Sequence, residues 1–230
     1  MSRVPPFVRE ITPPILFRLA KSVVRTMRSP SKKTAVGGIE KGADYYDETF
    51  EAADHWKNHY TKSHYYPLWT VVADRIKSRG KTKILDIGCG PGQVACVMGD
   101  TEQVDDYLGL DFSNKRIAQA QRVCPKFKFL QADVFTSDVL DNHDYDTVLL
   151  MEFLEHIDQD LEVLQRVKKG VYILATVPNF DAPGHVRYFG SVKEVEQRYQ
   201  DHISDIRVDE ILANDKGIKY FIIEGHKRRT

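Results

Sequence analysis

The chain has 230 residues, of which 42% are hydrophobic and 29% are charged, and its 33 basic residues balance 33 acidic ones. This composition is typical of a soluble globular protein and excludes the disordered and fibrous classes. A formal net charge of zero also argues against a surface that is basic throughout, as that of a nucleic-acid-binding protein usually is.

The charge is divided unevenly along the chain. Residues 1–33 hold one acid, Glu10, and eight basic residues, so this segment carries +7 and the remaining 197 residues carry −7. We therefore expect a basic N-terminal arm and linker over residues 1–38, attached to an acidic body. The eight basic residues are Arg3, Arg9, Arg18, Lys21, Arg25, Arg28, Lys32 and Lys33.

The first predicted element is a helix over residues 15–27, which follows Pro13-Pro14. Its apolar and basic side chains lie mostly on different faces, and such a helix can lie on an anionic membrane surface. The alternative is that it packs on the body or on a partner. Because Arg18 interrupts the longest apolar run, neither a signal peptide nor a membrane-spanning helix is predicted.

The cysteines bear on the compartment. There are 3 of them, without a Cys-x-x-Cys pair, so neither a disulfide framework nor a thiolate zinc site is predicted. We expect a reducing, cytoplasmic location. If the basic N-terminal arm binds lipid, the protein would lie peripherally at the inner face of the membrane.

Aromatic and imidazole side chains crowd residues 44–69, within a predicted helical cap over residues 39–79. Their spacing predicts helices over residues 51–60 and 66–76. The rings either pack in a core or form a lid over a ligand, since they precede a glycine-rich loop. They are Tyr45, Tyr46, Phe50, His55, Trp56, His59, Tyr60, His64, Tyr65, Tyr66 and Trp69.

From Lys83 onward, short apolar runs alternate with amphipathic stretches. Strands are predicted at residues 84–87, 107–110, 127–130, 145–150 and 171–177, with helices at 93–98 and 113–123. Such alternation indicates βαβ units and a parallel sheet. Strands at 206–212 and 218–224, joined by a turn at 214–217, predict an antiparallel hairpin at the end.

A glycine-rich turn, Gly88-Cys89-Gly90-Pro91-Gly92, follows the first of these strands. Such a turn lets the backbone approach a ligand and points helix N–H groups at it. The turn is one residue shorter than the dinucleotide fingerprint, and Asp86 precedes it by two residues. A carboxylate at that position favours a positively charged ligand over a pyrophosphate.

Four segments, within roughly residues 70–225, together resemble the motifs of the class I S-adenosylmethionine-dependent methyltransferases. The resemblance implies a doubly wound, Rossmann-like α/β domain over residues 80–230, with a seven-stranded, mostly parallel sheet and an antiparallel C-terminal hairpin. The segments are Ile84-Leu85-Asp86-Ile87-Gly88-Cys89-Gly90-Pro91-Gly92, Tyr107-Leu108-Gly109-Leu110-Asp111-Phe112-Ser113, Leu130-Gln131-Ala132-Asp133-Val134 and Tyr145-Asp146-Thr147-Val148-Leu149-Leu150.

The resemblance also implies which residues hold S-adenosylmethionine. Asp111 would take the ribose hydroxyls, Asp133 would accept from the adenine amino group, and Asp86 would face the amino acid portion and the sulfonium. The complete cofactor set that we predict is Asp86, Gly88, Cys89, Gly90, Gly92, Gln93, Asp111, Phe112, Asp133, Val134 and Met151.

The run Glu152-Phe153-Leu154-Glu155-His156 follows the fourth predicted strand. In a helix, its two glutamates and its histidine would share one face. The E-x-x-E-H run resembles that of quinone-pathway O-methyltransferases and of small-RNA 2′-O-methyltransferases, and in the latter it coordinates a divalent metal with a later histidine. His185 is the candidate equivalent here, although the wider RNA-enzyme pattern around that histidine is absent.

Three roles remain open for these catalytic candidates, Glu152, Glu155, His156 and His185. All four residues would hold Mg²⁺ or Mn²⁺ that acidifies a hydroxyl, or His156 would act as a general base without metal, or the run would be an ordinary hydrogen-bonded helix start.

We expect methyl transfer to a hydroxyl oxygen, because the Asn/Asp-Pro-Pro-aromatic run common in N-methyltransferases is absent after the fourth strand. Residues 5–19 resemble leaders of methyltransferases from bacterial surface-polysaccharide clusters, which favours a sugar or glycan acceptor, including a lipid-linked one. The loop 178–189, with His185 and Arg187, would contact such an acceptor, or it is a structured loop with Arg187 on a surface carboxylate.

The alternatives are an RNA 2′-O-methyltransferase, a quinone-type small-molecule O-methyltransferase and a non-catalytic S-adenosylmethionine-binding protein. The acidic body predicts no stable nucleic-acid partner. The sequence does not predict the oligomeric state.

Overall fold

The computed structural model describes residues 38–80, 82–100 and 104–229. The strands in these ranges are β1 (Thr82–Ile87), β2 (Val104–Asp111), β3 (Lys128–Gln131), β4 (Thr147–Met151), β5 (Tyr172–Pro178), β6 (Ile203–Leu212) and β7 (Lys219–Lys227). The α-helices are α1 (Ala43–Ala52), α2 (Tyr66–Ser78), α3 (Gln93–Asp100), α4 (Asn114–Val123), α5 (Val139–Asn142), α6 (Asp160–Arg166) and α7 (Val192–Tyr199). None of the helices in these ranges is long and apolar enough to cross a membrane.

The described strands form one sheet in the order β3-β2-β1-β4-β5-β7-β6. The first five pair in parallel, whereas β7 runs antiparallel to both β5 and β6. The predicted α/β fold with an antiparallel C-terminal hairpin is therefore confirmed. The strand order reverses between β1 and β4, and open α/β sheets bind ligands at the carboxyl ends of the strands at such a point.

The hydrophobic core lies on both faces of this sheet. Successive residues of a strand point to opposite faces, so Leu85 and Val148 belong to one buried cluster while Ile84 and Leu149 belong to the other. The central strands β4 and β5 are buried along their whole length, as is usual for parallel strands that are covered on both sides. The strand ends are then left for polar groups.

The helix predicted over residues 51–60 is wrong. α1 ends at Ala52, Ala53 is extended, and two separate 3₁₀ turns follow, over Asp54–Lys57 and Tyr60–Lys62. The break places the Trp56 indole 5.2 Å from the Arg116 guanidinium, so a tertiary contact overrides helical spacing. The helix predicted over 66–76 is confirmed as α2, and the helix predicted over 15–27 lies outside the described residues.

The run Glu152–His156 does not form the helix in which its two glutamates and its histidine would share one face. Glu152 follows β4 in the left-handed region, with φ at 50°, and its N–H donates to Thr176 Oγ1 at 2.8 Å. Residues Leu154–His156 form a single 3₁₀ turn. A sharp turn fixed by the neighbouring strand, and not helical periodicity, therefore sets the positions of these side chains.

Candidate active site

A cavity of about 540 Å³ opens at the carboxyl ends of β1, β2 and β4, and its volume is within the range of small-molecule sites. Its wall comes from the turn after β1, from the strand ends, and from residues 40–69 and 182–185. Ten of the eleven residues predicted to hold the cofactor line it, and the exception is Gly92.

Three glycines of the turn after β1 have left-handed backbone conformations, with φ at 77° for Gly88, 55° for Gly90 and 82° for Gly92. A Cβ on Gly88 would overlap the Phe153 ring, and a Cβ on Gly92 would lie 2.8 Å from Ala120 Cα, whereas nothing stands within 4 Å of a Cβ on Gly90. Gly90 is thus the point of close backbone approach to the cavity, and Gly92 allows α3 to pack on α4.

Asp111, at the end of β2, ties this turn to the start of α4. Its carboxylate accepts from the Gly90 N–H at 3.0 Å and from the Ser113 N–H at 2.8 Å. Burial raises the pKa of Asp111, and these N–H groups oppose the shift. Each carboxylate oxygen has one such partner and keeps acceptor capacity for a ligand hydroxyl.

Two further acids lie on the same wall. Asp86 accepts from the buried Tyr107 hydroxyl, and burial raises the pKa of Asp86 to about 7. Its Oδ1 has no hydrogen-bond partner among the described residues. Asp133, after β3, accepts from the Phe135 N–H at 2.8 Å. The three acids predicted from the sequence therefore lie around one cavity.

The segment before α2 lines this cavity, which agrees with the lid, one of the two alternatives left open for its aromatic residues. Asp47 anchors α1, because its carboxylate accepts from the Ser113 hydroxyl and from the Lys115 N–H at 3.2 Å. The cavity-lining residues of the segment include Tyr45, Tyr46, Thr49, Ala52, Ala53, His55 and Trp56.

Arg116 is a cavity residue that sequence reasoning misses. Its guanidinium lies 4.8 Å from the Tyr46 ring centroid and 5.2 Å from that of Trp56, so it joins α4 to the lid through cation–π contacts. One signal points to it: Ser113 caps α4, and a residue three positions later lies in the first turn, beside the end of β2.

A series of aromatic rings runs past Glu152, and six of its eight members line the cavity, the exceptions being Phe180 and Tyr220. Neighbouring ring centroids in the series are 4.8 to 5.9 Å apart. Aromatic walls of this kind suit a flat ligand ring. The series runs Trp69, Tyr65, Tyr220, Phe180, His185, His156, Tyr46 and Phe112.

Glu155, His156 and His185 form a compact group, with one potential ligand atom of each within 4.8 Å of the others. His156 and His185 line the cavity and Glu155 does not. Glu155 is fully buried, and neither of its carboxylate oxygens has a hydrogen-bond partner among the described residues. Burial and then the nearby Glu152 carboxylate raise the pKa of Glu155. A buried carboxylate without a donor is costly, and a bound cation would remove that cost.

Both histidines of the group have a defined tautomer. His156 Nδ1 lies 3.0 Å from the Gly184 carbonyl oxygen, and His185 Nδ1 lies 3.1 Å from that of Phe180. Because a carbonyl only accepts, each Nδ1 carries the hydrogen and each Nε2 keeps its lone pair. Burial lowers the pKa of His156 to about 4 and also lowers that of His185, so both rings are neutral at pH 7.

The loop over Pro178–Phe189 closes on itself, since its last N–H donates to its first carbonyl at 3.1 Å. It brings His185 to the cavity. The guanidinium of Arg187, expected to contact an acceptor, is instead turned inward onto carbonyls of the 154–158 segment.

Known proteins share this fold and this motif order. Residues 84–171 match the family described as a methyltransferase domain. This segment is a methyltransferase domain. Solved structures with a similar fold include the N-methyltransferase NodS of Bradyrhizobium japonicum in complex with S-adenosylhomocysteine, at 12% identity and a TM-score of 0.62, covering 79% of this chain and 98% of that one. Another is the magnesium protoporphyrin IX methyltransferase of Synechocystis with bound S-adenosylhomocysteine, at 15% identity, TM-score 0.62, and 80% and 97% coverage.

Curated relatives of this chain have names that refer to ubiquinone biosynthesis. The chain is 28% identical over 142 residues to the ubiquinone biosynthesis O-methyltransferase of Vibrio cholerae, which is 56% of this chain and 57% of the relative. It is 24% identical over 115 residues to the mitochondrial ubiquinone biosynthesis O-methyltransferase of Saccharomyces cerevisiae, which is 46% and 37% of the two chains. The chain thus spans little more than half the length of the Vibrio cholerae relative that it matches.

The predicted class I, Rossmann-like fold is confirmed for the methyltransferase domain. The individual roles predicted for its acids and histidines are not tested by these likenesses and stay predictions. The suggested resemblance to polysaccharide-cluster leaders rests on residues 5–19, which lie outside the described residues.

Proposed function

We propose that the chain is an S-adenosylmethionine-dependent O-methyltransferase that acts on a hydroxyl of a small aromatic acceptor, of the catechol or quinol type. The observation that carries this proposal is a single cavity that joins the wall of Asp86, Asp111 and Asp133 to Glu152 and His156, with aromatic side chains along its wall. A donor and a flat acceptor can therefore meet in one cavity.

The cofactor half fits S-adenosylmethionine, which when bound supplies a sulfonium methyl group open to attack. Asp111 has acceptor capacity for the two ribose hydroxyls, and Asp133 has it for the adenine amino group. The unpartnered Oδ1 of Asp86 suits a positively charged ligand. The S-adenosylhomocysteine in the structural neighbours supports this choice of cofactor.

The acceptor is proposed as aromatic and not as a sugar. The curated relatives are named for ubiquinone biosynthesis, which favours the quinone-type alternative from the sequence over the glycan hypothesis. The ring series beside Glu152 also suits a planar acceptor better than a polyhydroxyl one. Finally, the inward turn of Arg187 removes the guanidinium that a sugar acceptor was expected to meet.

His156 alone is a poor base for this chemistry. A phenolic hydroxyl has a pKa of about 10, whereas burial lowers the pKa of His156 to about 4, and an efficient general base titrates near the working pH. The group of Glu155, His156 and His185 fits a divalent cation instead, because its imidazole Nε2 lone pairs and orphaned carboxylate oxygens are all free to bind one. Glu152 lies beside this group, and such a cation would lower the pKa of an acceptor hydroxyl.

Cofactor binding is tested by calorimetric titration with S-adenosylhomocysteine. We expect Asp111→Asn to raise the Kd at least tenfold, because hydrogen bonds to a charged group contribute about 1.5–3 kcal/mol each. Asp201→Asn is the matched control, since Asp201 is exposed and lies outside the cavity. An Asp111→Asn variant that binds as tightly as the wild type would contradict the assignment.

Acceptor choice is tested with 3,4-dihydroxybenzoate, glucose and a short single-stranded RNA, each with labelled cofactor. We expect methylation of the catechol, its loss after exhaustive chelation, and its return with Mn²⁺. Product from glucose or RNA, or cofactor binding without transfer to any catechol, would overturn the acceptor proposal. Full activity after chelation would exclude the metal hypothesis and leave a side chain as the general base.

A further inference from the structure

A buried charge network lies next to the Glu155–His156–His185 group. Asp160, the first residue of α6, has a side chain that is 1% exposed. Its carboxylate accepts from Arg198 at 2.7 and 2.6 Å and from the Tyr199 hydroxyl at 3.0 Å. Arg187 Nη1 lies 3.4 Å from the same carboxylate. Arg187, from the loop after β5, and Arg198, from α7, therefore share one buried carboxylate.

Arg187 differs from Arg198 in what else it contacts. Its guanidinium spans the turn that carries Glu155 and His156, donating to carbonyls on both sides of them. In the same place, the Val186 N–H donates to the Glu155 carbonyl at 2.8 Å. The three carbonyls that accept from the Arg187 side chain are those of Leu154, Ile157 and, at 3.0 Å, Asp158.

The position of Arg187 in the chain gives these contacts a consequence. His185 is two residues before Arg187, so one side chain connects the loop that carries His185 to the turn that carries Glu155 and His156. We propose that Arg187, anchored by Asp160, is a positioning residue that sets the distance between His185 and the other two members of the group. The catalytic meaning of this role rests on the proposed function, whereas the positioning itself does not.

The chemistry of the contact requires arginine. The planar guanidinium offers five donors in a fixed fork, whereas a lysine offers a compact ammonium on a flexible stem. Only the fork can serve three carbonyls and a carboxylate together. Losing it would also leave the carbonyl of the fully buried Leu154 without that donor, and unsatisfied buried groups destabilise the arrangement that creates them.

The experiment compares Arg187→Met with Arg198→Met in the full chain. Both substitutions remove one guanidinium from Asp160, so both should lower the melting temperature. Only Arg187→Met should alter the imidazole ¹⁵N spectra of His156 and His185, which report their tautomers, and raise the Kd for Mn²⁺ by about 10- to 100-fold, the usual effect of losing an outer-shell partner. Affinity for S-adenosylhomocysteine should stay at the wild-type value, and Arg187→Lys should restore only part of the loss.

The proposal is overturned if Arg187→Met keeps the wild-type imidazole spectrum, or if Arg198→Met changes it equally. A wild type that neither binds Mn²⁺ nor transfers methyl groups would refute the proposed function, while the imidazole spectra would still decide the role of Arg187. Should Arg187→Met fail to fold, the same comparison is made between Arg187→Lys and Arg198→Lys.

Discussion

Glu155 is a carboxylate in a costly environment near the cavity. It is fully buried, it lies near a second carboxylate, and its oxygens have no donor among the described residues. The neighbouring imidazoles offer Glu155 no compensating charge, because burial keeps both of them neutral at pH 7. Carboxylates held in this way are characteristic of sites that bind a cation or transfer a proton.

Replacement of this carboxylate should separate stability from function. Burial raises the pKa of Glu155, so above about pH 4.3, the value for an unfolded glutamate, the folded state retains a proton that the unfolded state has lost. Stability conferred by the protonated form is therefore lost as pH rises toward the raised pKa. We expect Glu155→Gln to fall less in melting temperature than the chelated wild type as the pH rises above about 4.3. The histidines are the same in both proteins, so their contribution cancels in the comparison.

The metal hypothesis predicts that Glu155→Gln also weakens Mn²⁺ binding and slows methyl transfer, each by more than tenfold. Glu48→Gln serves as the control, since Glu48 is exposed and outside the cavity. Equal pH slopes for wild type and Glu155→Gln would show that Glu155 is not held at a raised pKa.

At the scale of elements, Gly90 and Gly92 in the turn between β1 and α3 have different roles. Gly90 and Gly92 both have positive φ, but only Gly90 lines the cavity. Gly92 instead stands against the backbone of α4, where there is no room for a side chain. The two positions look alike in the sequence and serve binding and packing separately.

A pair of alanine substitutions tests this division. Gly92→Ala should destabilise the fold by about 2–5 kcal/mol, combining left-handed strain of about 1–2 kcal/mol with overpacking of about 1–3 kcal/mol, while the folded fraction keeps its affinity for S-adenosylhomocysteine. Gly90→Ala should destabilise the fold only by the left-handed strain of about 1–2 kcal/mol, but it should weaken cofactor binding at least tenfold. Denaturant unfolding measures the free energy of unfolding, and calorimetry measures the Kd for S-adenosylhomocysteine. A greater loss of stability in Gly90→Ala than in Gly92→Ala, or weaker binding in Gly92→Ala than in Gly90→Ala, would contradict the assignment.

Elements whose signals are local were predictable from the sequence, and those set by distant contacts were not. The strand–turn–helix alternation after Lys83 predicts the sheet, and Asp111 and Asp133 are recognisable because they stand in segments that resemble the motifs of the class I methyltransferases. The break at Ala53 and the left-handed turn at Glu152 lie next to contacts with Arg116 and Thr176, which are remote in the chain. Asp160 and Arg187 likewise meet only in the folded state, so no spacing pattern indicates their contact.

At the scale of the whole molecule, the zero net charge conceals a +7 segment over residues 1–33 and a −7 remainder. The first of these lies outside the described residues. Its charge and its amphipathic pattern nevertheless support the proposal that the chain associates peripherally with an anionic membrane surface, where a lipid-soluble acceptor would also be found.

Vesicle sedimentation of the full chain tests this association. We expect binding to vesicles that contain phosphatidylserine, none to pure phosphatidylcholine, and release by salt, since surface attraction is screened within a Debye length. The triple variant Arg18→Glu, Lys21→Glu, Arg25→Glu should lose binding. The control triple Lys62→Glu, Lys77→Glu, Lys193→Glu alters exposed residues of the body by the same charge, and an equal loss there would refute a specific role for the arm.

The loop over Pro178–Phe189 is joined at its base by a bond between its own ends. A segment closed in this way can accept new sequence between those ends while β5 and α7, on either side, keep their places. Ala182 and Pro183 line the cavity and are not buried, whereas Val186 and Phe189 of the same loop are buried. We therefore expect substitutions at Ala182 and Pro183 to change the wall that faces the acceptor, and with it the choice of acceptor, while the cofactor half keeps its structure.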